Sequence, residues 1–173
     1  VEKRLDVVSP LNDLPVVIGE AKTPARSAVT WFDGAFQVNE IYERQAPAMF
    51  VPNVFSFATE GKLFRYGAIR MPIEMWGPWR DEENQAEGQL HHVRASVASM
   101  LRPEVVLDIL QNFTLFATDK KHRRIKLICR YQQYFTTNQI VDRVVAGYPK
   151  KGLIWHFQGS GKSLLMVFAA MKL

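Results

Sequence analysis

A short glycine-containing segment near the end of the chain places the strongest constraint on its fold. The segment consists of Gly159, Ser160, Gly161, Lys162 and Ser163. Residues 152–156 before it predict a buried strand, and the apolar residues after it predict a helix that starts at Lys162. A strand, a glycine turn and a helix in this order are typical of α/β proteins whose helix N-terminus binds phosphate. We therefore expect an α/β fold and a nucleotide-phosphate site at this segment.

The residues of this glycine segment indicate separate roles at such a site. Backbone N–H groups would face the phosphates, Lys162 would contact the β and γ phosphates, and Ser163 would contact Mg²⁺. His156 stands where the usual pattern has its first glycine. The pattern taken alone therefore leaves open a loop with a purely structural role.

A second group of charged residues lies near the start of the chain. Residues 5–8 and 14–21 predict two apolar strands joined by a short turn. Glu20 and Lys22 are two residues apart in the second strand, so their side chains leave the same face, and the hairpin can bring Asp6 beside Glu20. Two carboxylates and an ammonium group in one patch fit Mg²⁺-assisted hydrolysis of a phosphodiester. The alternative is a surface ion pair beside a solvated Asp6.

The rest of the sequence predicts mainly helices, with one hairpin and one irregular connector. A helix over residues 27–44 would place four side chains near one face, namely Phe32, Phe36, Ile41 and Tyr42. The other predicted elements are a hairpin over 53–66, a connector over 71–88 with an acidic cluster at 81–83, and helices over 89–100, 103–110 and 131–145. The basic run at 120–124 would contact DNA phosphates or form a solvated face.

The two groups of charged and glycine residues resemble motifs of a known family. The sequences RLDVV at residues 4–8 and PVVIGEAKTP at 15–24 resemble the Asp…Glu-x-Lys nuclease motif of the R subunits of type I restriction enzymes. The glycine segment preceded by Ile-Trp-His resembles the nucleotide loop of the same subunits. The resemblance implies a PD-(D/E)xK-like nuclease domain, a mixed sheet flanked by helices. It also implies Asp6 and Glu20 as metal ligands and Lys22 as the catalytic lysine.

The resemblance extends to two pairs of supporting residues. Many relatives carry Gln-x-x-x-Tyr on the first helix, whereas Gln37 and Tyr42 have four residues between them. On a regular α-helix Gln37 would therefore lie about 100° further round than expected. Gln133, with Arg130, resembles the segment that recognises adenine in these motors, because an amide can donate to and accept from the base. The alternative for both pairs is an ordinary role in lining a helix.

The resemblance covers nearly the whole chain and implies its organisation and function. It implies a nuclease domain over 1–80 that is incomplete at its N-terminus, a largely helical connector over 81–130, and the start of a RecA-like ATPase domain over 131–173. The implied function is ATP-driven translocation of double-stranded DNA followed by Mg²⁺-dependent cleavage. The implied partners are DNA and the specificity and methylation subunits of the complex. Two alternatives remain open: a helicase–nuclease of DNA repair, and a DNA-binding module with a decayed nuclease patch.

The composition is consistent with these expectations but does not single them out. The formal net charge of +5 favours an anionic partner. The single cysteine, Cys129, excludes a disulfide within the chain and suits a reducing compartment. A reducing compartment of this kind predicts a cytoplasmic protein, and no apolar run reaches the length of about 18 residues that spans a membrane. The chain does not begin with methionine and ends within an apolar helix, so we expect both ends to lie inside a longer protein.

Overall fold

The computed structural model describes four stretches of the chain, residues 4–26, 28–80, 86–119 and 121–173. The predicted acidic cluster at 81–83 lies outside the described residues, and so do Ser27, where the first helix is predicted to start, and Lys120 of the basic run.

Four strands form a mixed sheet in the order β1-β2-β3-β4. The hairpin of β1 (Val7–Leu11) and β2 (Leu14–Ala21) is antiparallel, β2 pairs in parallel with β3 (Phe55–Thr59), and β3 pairs antiparallel with β4 (Phe64–Gly67). The two turn residues between β1 and β2 have φ values of 48° and 64°, as a two-residue hairpin of the favoured hand requires. Both predicted hairpins are therefore confirmed, and with the helices described below the α/β class is confirmed as well.

The first helix begins later than predicted and buries a different face. It starts with α1 (Trp31–Phe36), continues as a π-helix over Gln37–Tyr42 and ends in the short α2 (Glu43–Gln45). Thr30 caps α1, since its hydroxyl accepts the N–H of Phe32 at 3.2 Å and its own N–H donates to the Asp33 carboxylate at 2.7 Å.

The predicted apolar face of this helix is wrong for two of its four members. Phe32 and Phe36 are 42% and 48% exposed, while Gly34 and Ala35 are buried. A Cβ atom placed on Gly34 would lie 3.3 Å from the Cβ of Ala58 in β3. The helix approaches the sheet so closely that only small side chains fit between them, and the large rings therefore turn outward.

The remaining helices are confirmed, and a hairpin that the pattern did not reveal lies among them. The helices are α3 (Leu90–Met100), α4 (Pro103–Asn112), α5 (Tyr131–Ala146) and α6 (Lys162–Lys172). Between α4 and α5, β5 (Thr114–Thr118) and β6 (Arg124–Ile128) form an antiparallel pair. Residues 121–123 of the basic run lie in the turn of this hairpin and Arg124 begins β6, so the charges of the run concealed the alternating pattern.

The buried strand predicted over residues 152–156 is wrong. In the described part of the chain these residues pair with no strand, and Leu153 and Trp155 are 84% and 86% exposed. A parallel strand of this kind is stable only between neighbouring strands and with both faces covered. The mixed sheet and the β5–β6 hairpin do not reach this segment, so its apolar side chains stay exposed.

One large apolar core joins the mixed sheet to the later helices. It contains side chains from β2, β3 and β4 together with side chains from α3, α4, α5 and α6. Aromatic rings run through it as a chain, which we call the aromatic chain: Phe55, Tyr66, Trp79, Tyr134, Phe113 and Phe168, with successive centroids 6.0, 5.8, 5.1, 4.9 and 5.4 Å apart. A second, smaller core packs the first helix against the other face of the sheet. Among the described residues, no helix has the length and apolar character needed to cross a membrane.

Candidate functional site

The end of β2 holds a buried carboxylate next to a lysine. Glu20 is 3% exposed, and its Oε1 atom lies 2.7 Å from the Nζ atom of Lys22. The backbone N–H of Lys22 donates to the carbonyl of Thr59 at 2.7 Å, which continues the pairing of β2 with β3. The other carboxylate oxygen of Glu20, Oε2, is buried and has no hydrogen-bond partner among the described residues. An unsatisfied buried oxygen of this kind is costly unless a ligand completes it.

The β1–β2 hairpin brings a second carboxylate to the same place, as the sequence predicts. Asp6 is exposed and its Oδ2 atom accepts the backbone N–H of Ala21 at 3.1 Å. Burial raises the pKa of Glu20, and the nearby Asp6 carboxylate raises it further, while the ammonium of Lys22 opposes both. The effects of Asp6 and Lys22 on this pKa have the signs expected for a carboxylate that lies between a like charge and an opposite charge.

Gln37 and Tyr42 join this group through the π-helix. Lys22 Nζ donates to Gln37 Oε1 at 2.5 Å, the Gln37 amide donates to the Tyr42 hydroxyl, and this hydroxyl donates to the carbonyl of Arg4 at 3.0 Å. The π-helix has i→i+5 spacing, as the hydrogen bond from the Glu43 N–H to the Val38 carbonyl shows. With this spacing, the additional residue between Gln37 and Tyr42 does not turn the two side chains away from each other. The displacement expected for a regular α-helix does not occur.

The side chains of Glu20, Lys22, Gln37 and Tyr42 form one hydrogen-bonded group, and Asp6 lies next to it through the N–H of Ala21. We call these five residues the carboxylate–lysine site. The described residues contain no group of three or more His, Cys, Asp or Glu that could hold a metal ion. Mg²⁺ commonly binds to proteins through one or two carboxylates and takes its other ligands from phosphate and water. Two carboxylates with one unpaired oxygen therefore fit such an ion.

The glycine segment forms a tight loop at the start of α6. Gly159 and Gly161 adopt left-handed φ values of 82° and 83°, and Gly161 is the residue that precedes the helix. Lys162 Nζ donates to the carbonyls of His156 and Phe157, both at 2.9 Å. The loop and the helix start thus form where the sequence predicts them, although the strand before them does not form; the phosphate contact of Lys162 stays a prediction.

Ser160 and Ser163 have different positions in this loop. Ser160 is 3% exposed, and its hydroxyl has no hydrogen-bond partner among the described residues. Ser163 lies in the first turn of α6 and is exposed. Ser163 is therefore open to a ligand, whereas Ser160 is enclosed in the loop.

Gln133 of α5 contacts the glycine loop through a hydrogen bond. It is 2% exposed, its Oε1 atom accepts the N–H of Arg130 at 2.8 Å, and its Nε2 atom donates to the carbonyl of Gly161 at 3.0 Å. Both ends of the amide are thus occupied by backbone groups, while the Arg130 residue is exposed. Contact between Gln133 and an adenine base would require the amide to exchange these partners.

Sequence reasoning missed one buried carboxyl beside the carboxylate–lysine site. Glu43 follows Tyr42 and is 9% exposed; its Oε2 atom accepts the N–H of Arg70 at 3.0 Å. Burial raises the pKa of Glu43 to about 7. Counted with a period of 3.6 residues from the buried Val38, Glu43 would lie off the buried face, so only the π-helix reveals it.

Two family models match separate parts of the chain. Residues 1–72 match the N terminus of the type I restriction enzyme R protein, and residues 132–173 match the SWI2/SNF2 ATPase family. The second match covers most of α5, the glycine segment and α6. The two matches occur in the order that the sequence motifs predict.

Similar curated proteins carry names of the same class. The chain is 32% identical to the type I restriction enzyme HindI endonuclease subunit of Haemophilus influenzae, over 97% of this chain and 17% of that protein. It is 30% identical to a putative type I restriction enzyme endonuclease subunit, MjaVIIP, of Methanocaldococcus jannaschii, over 96% of this chain and 16% of that protein. The chain thus spans about a sixth of the length of the curated relatives it matches. It belongs to the family of type I restriction enzyme R (endonuclease) subunits, and it corresponds to their N-terminal region.

Proposed function

We propose that this chain carries the DNA-cleaving site of a type I restriction enzyme and the first part of its ATP-driven motor. The observation that carries the proposal is the carboxylate–lysine site, in which a buried Glu20 oxygen beside Asp6 and Lys22 has no partner among the residues that the structure describes. In this proposal a PD-(D/E)xK-like nuclease domain occupies residues 1–80, a connector occupies 81–130, and a RecA-like ATPase domain begins at 131.

Asp6 and Glu20 are the residues that would hold Mg²⁺. When bound there, the ion would polarise the scissile phosphate and lower the pKa of a bound water. The unpaired Oε2 atom of Glu20 and the exposed carboxylate of Asp6 supply the oxygen ligands that such a cation requires.

Lys22 is the residue that would act on the phosphate directly. Its ammonium group is held between Glu20 Oε1 and Gln37 Oε1, at 2.7 and 2.5 Å. A fixed ammonium beside the metal ligands can stabilise the charge that develops on the phosphoryl oxygens, without reorganising during the reaction. Gln37 and Tyr42 position the lysine, because they connect it to the backbone carbonyl of Arg4.

The glycine loop is the proposed site of ATP. Lys162 would exchange its two carbonyl partners for phosphate oxygens, and the exposed Ser163 would contact the Mg²⁺ that accompanies the nucleotide. Gln133 contacts the loop through Gly161 and, with Arg130, is the proposed reader of adenine, for which its amide would exchange its present backbone partners. Bound ATP would supply the free energy for translocation along double-stranded DNA.

The test of the nuclease proposal compares Lys22→Ala with the wild type in the complex assembled with the specificity and methylation subunits. Plasmid cleavage and ATP hydrolysis are measured on the same samples. We expect cleavage to fall by about 10²–10³, the effect typical of removing one electrostatic contact to the transition state, while ATP hydrolysis is retained. Lys62→Ala is the matched control, since Lys62 is an exposed lysine in the β3–β4 turn. Unchanged cleavage by Lys22→Ala would show that the site is misassigned.

A further inference from the structure

A cleft with three arginines lies beside the carboxylate–lysine site, and we call it the arginine cleft. Its volume is about 550 Å³. Its polar lining consists of Asn39, Glu40, Glu43, Arg44, Arg70 and Arg123. The three arginines come from α2, from the turn after β4 and from the turn of the β5–β6 hairpin. The fold thus gathers guanidinium groups from three distant segments into one place.

The arginines of this cleft retain donors that no carboxylate of the described residues satisfies. Arg70 is exposed and forms no ion pair with any described residue. Arg44 and Arg123 each pair with one carboxylate on their own segment, yet their side chains remain 73% and 70% exposed. A guanidinium carries five N–H donors, so one pairing leaves several of them free. The exposed Lys121 of the hairpin turn and the exposed Arg124 at the start of β6 add further positive charge.

The wall of the cleft holds a buried group that is only partly satisfied. Glu43 is 9% exposed, its Oε2 atom accepts the backbone N–H of Arg70, and its Oε1 atom has no partner among the described residues. Arg70 adopts a left-handed φ of 59°, an uncommon conformation for a residue with a side chain. A carboxyl whose pKa is raised to about 7 is partly neutral at neutral pH, so it repels an anion less than its formal charge implies.

We propose that the arginine cleft binds the phosphate backbone of duplex DNA through Arg70 and Arg123. Guanidinium groups match the geometry of phosphate oxygens, and the arginine side chains that line the cleft are exposed to solvent. Contacts of this kind carry no base information and depend on charge. The proposal rests on the proposed nuclease function, because the cleft would be a second contact to the same DNA.

The position of the cleft indicates what this contact would achieve. One helical segment, residues 37–43, carries Gln37 and Tyr42 of the carboxylate–lysine site and also Asn39 and Glu43 of the cleft. The diameter of such a segment is about 10 Å. One strand of DNA advances about 3.4 Å per nucleotide, so the diameter of this helical segment corresponds to the length of about three nucleotides. A strand held by the arginines would therefore lie close to the scissile position.

The test measures the salt dependence of DNA binding by the purified protein, using anisotropy of a labelled duplex of unrelated sequence. The variants are Arg70→Ala, Arg123→Ala and the double variant, titrated from about 50 to about 200 mM salt. Each lost phosphate contact is expected to reduce the slope of log affinity against log salt by about 0.9. The double variant should therefore lose about two units of slope and bind more weakly at low salt, and Arg70→Lys should recover most of the slope.

Arg102→Ala is the matched control, because Arg102 is an exposed arginine outside the cleft that pairs with Glu104 at 3.6 Å. An unchanged slope in the double variant would overturn the proposal, and so would an equal loss in the control, which would indicate net charge alone. If the cleft receives an acidic protein segment instead, DNA binding by the variants stays at the wild-type level. DNA binding is measured without cleavage, so a wrong nuclease assignment at Lys22 would not change the measured slopes. The two proposals can therefore fail separately.

Discussion

Replacement of Glu43 by glutamine should change how the stability of the protein depends on pH. Burial raises the pKa of Glu43 from 4.5 to about 7 in the folded state. The folded state therefore binds more protons than the unfolded state between these values, and the free energy of unfolding falls as pH rises through that window. A shift of this size corresponds to about 3 kcal/mol, at about 1.4 kcal/mol for each pKa unit. The free energy of unfolding of the wild type is reduced by this full amount above about pH 7 and is not reduced below about pH 4.5.

Glu43→Gln keeps the shape of the side chain and can still accept the N–H of Arg70, but it cannot ionise. We expect the variant to be more stable than the wild type by about 1–3 kcal/mol near pH 8, and close to the wild type near pH 4. Urea unfolding of both proteins across this range gives the difference directly, and the contributions of all other titrating groups cancel in it. A difference that stays constant with pH would refute the reasoning, since it would mean that Glu43 ionises alike in the folded and unfolded states.

Three further results are expected. Asp6→Ala should weaken Mn²⁺ binding to the purified protein at least about tenfold in a calorimetric titration, because it removes one of two carboxylates; unchanged binding would indicate a decayed patch. Gln37→Leu should lower plasmid cleavage about 10- to 100-fold while ATP hydrolysis persists, since Lys22 loses one of its two acceptors; equal loss of both activities would contradict this positioning role. Gly161→Ala should weaken nucleotide binding in an equilibrium assay, because its Cβ would displace the Gln133 amide that contacts the loop; Gly147→Ala shares the left-handed backbone, meets no described atom within 4 Å and should bind normally.

The sequence predicted those features that depend on neighbouring residues in the chain. The β1–β2 hairpin, the approach of Asp6 to Glu20, and the loop before α6 all follow from local alternation and turn chemistry. The roles assigned to these residues remain predictions. What the geometry adds is the connection between them, because the structure brings Lys22 and Gln37 within hydrogen-bonding distance.

Other features depend on packing and could not be predicted from a period in the sequence. The π-helix changes which side chains of the first helix face the core. Glu43 is therefore buried, and the Gln37 amide reaches the Tyr42 hydroxyl. The close approach of Gly34 to β3 turns the neighbouring rings outward. The failure of residues 152–156 to form a strand reflects the lack of a partner strand in the described part of the chain rather than any feature of their own sequence.

The aromatic chain has a consequence for how proteins of this kind can exchange parts in evolution. The proposed nuclease domain ends near Trp79, yet this ring packs against Tyr134 in α5, at 5.1 Å between centroids. The Trp79 indole N–H also donates to the Ser99 hydroxyl of α3 at 3.2 Å. The two halves therefore fit each other as a pair rather than as interchangeable modules. Recombination between relatives at this border would succeed only where the incoming half brings rings of matching size and position.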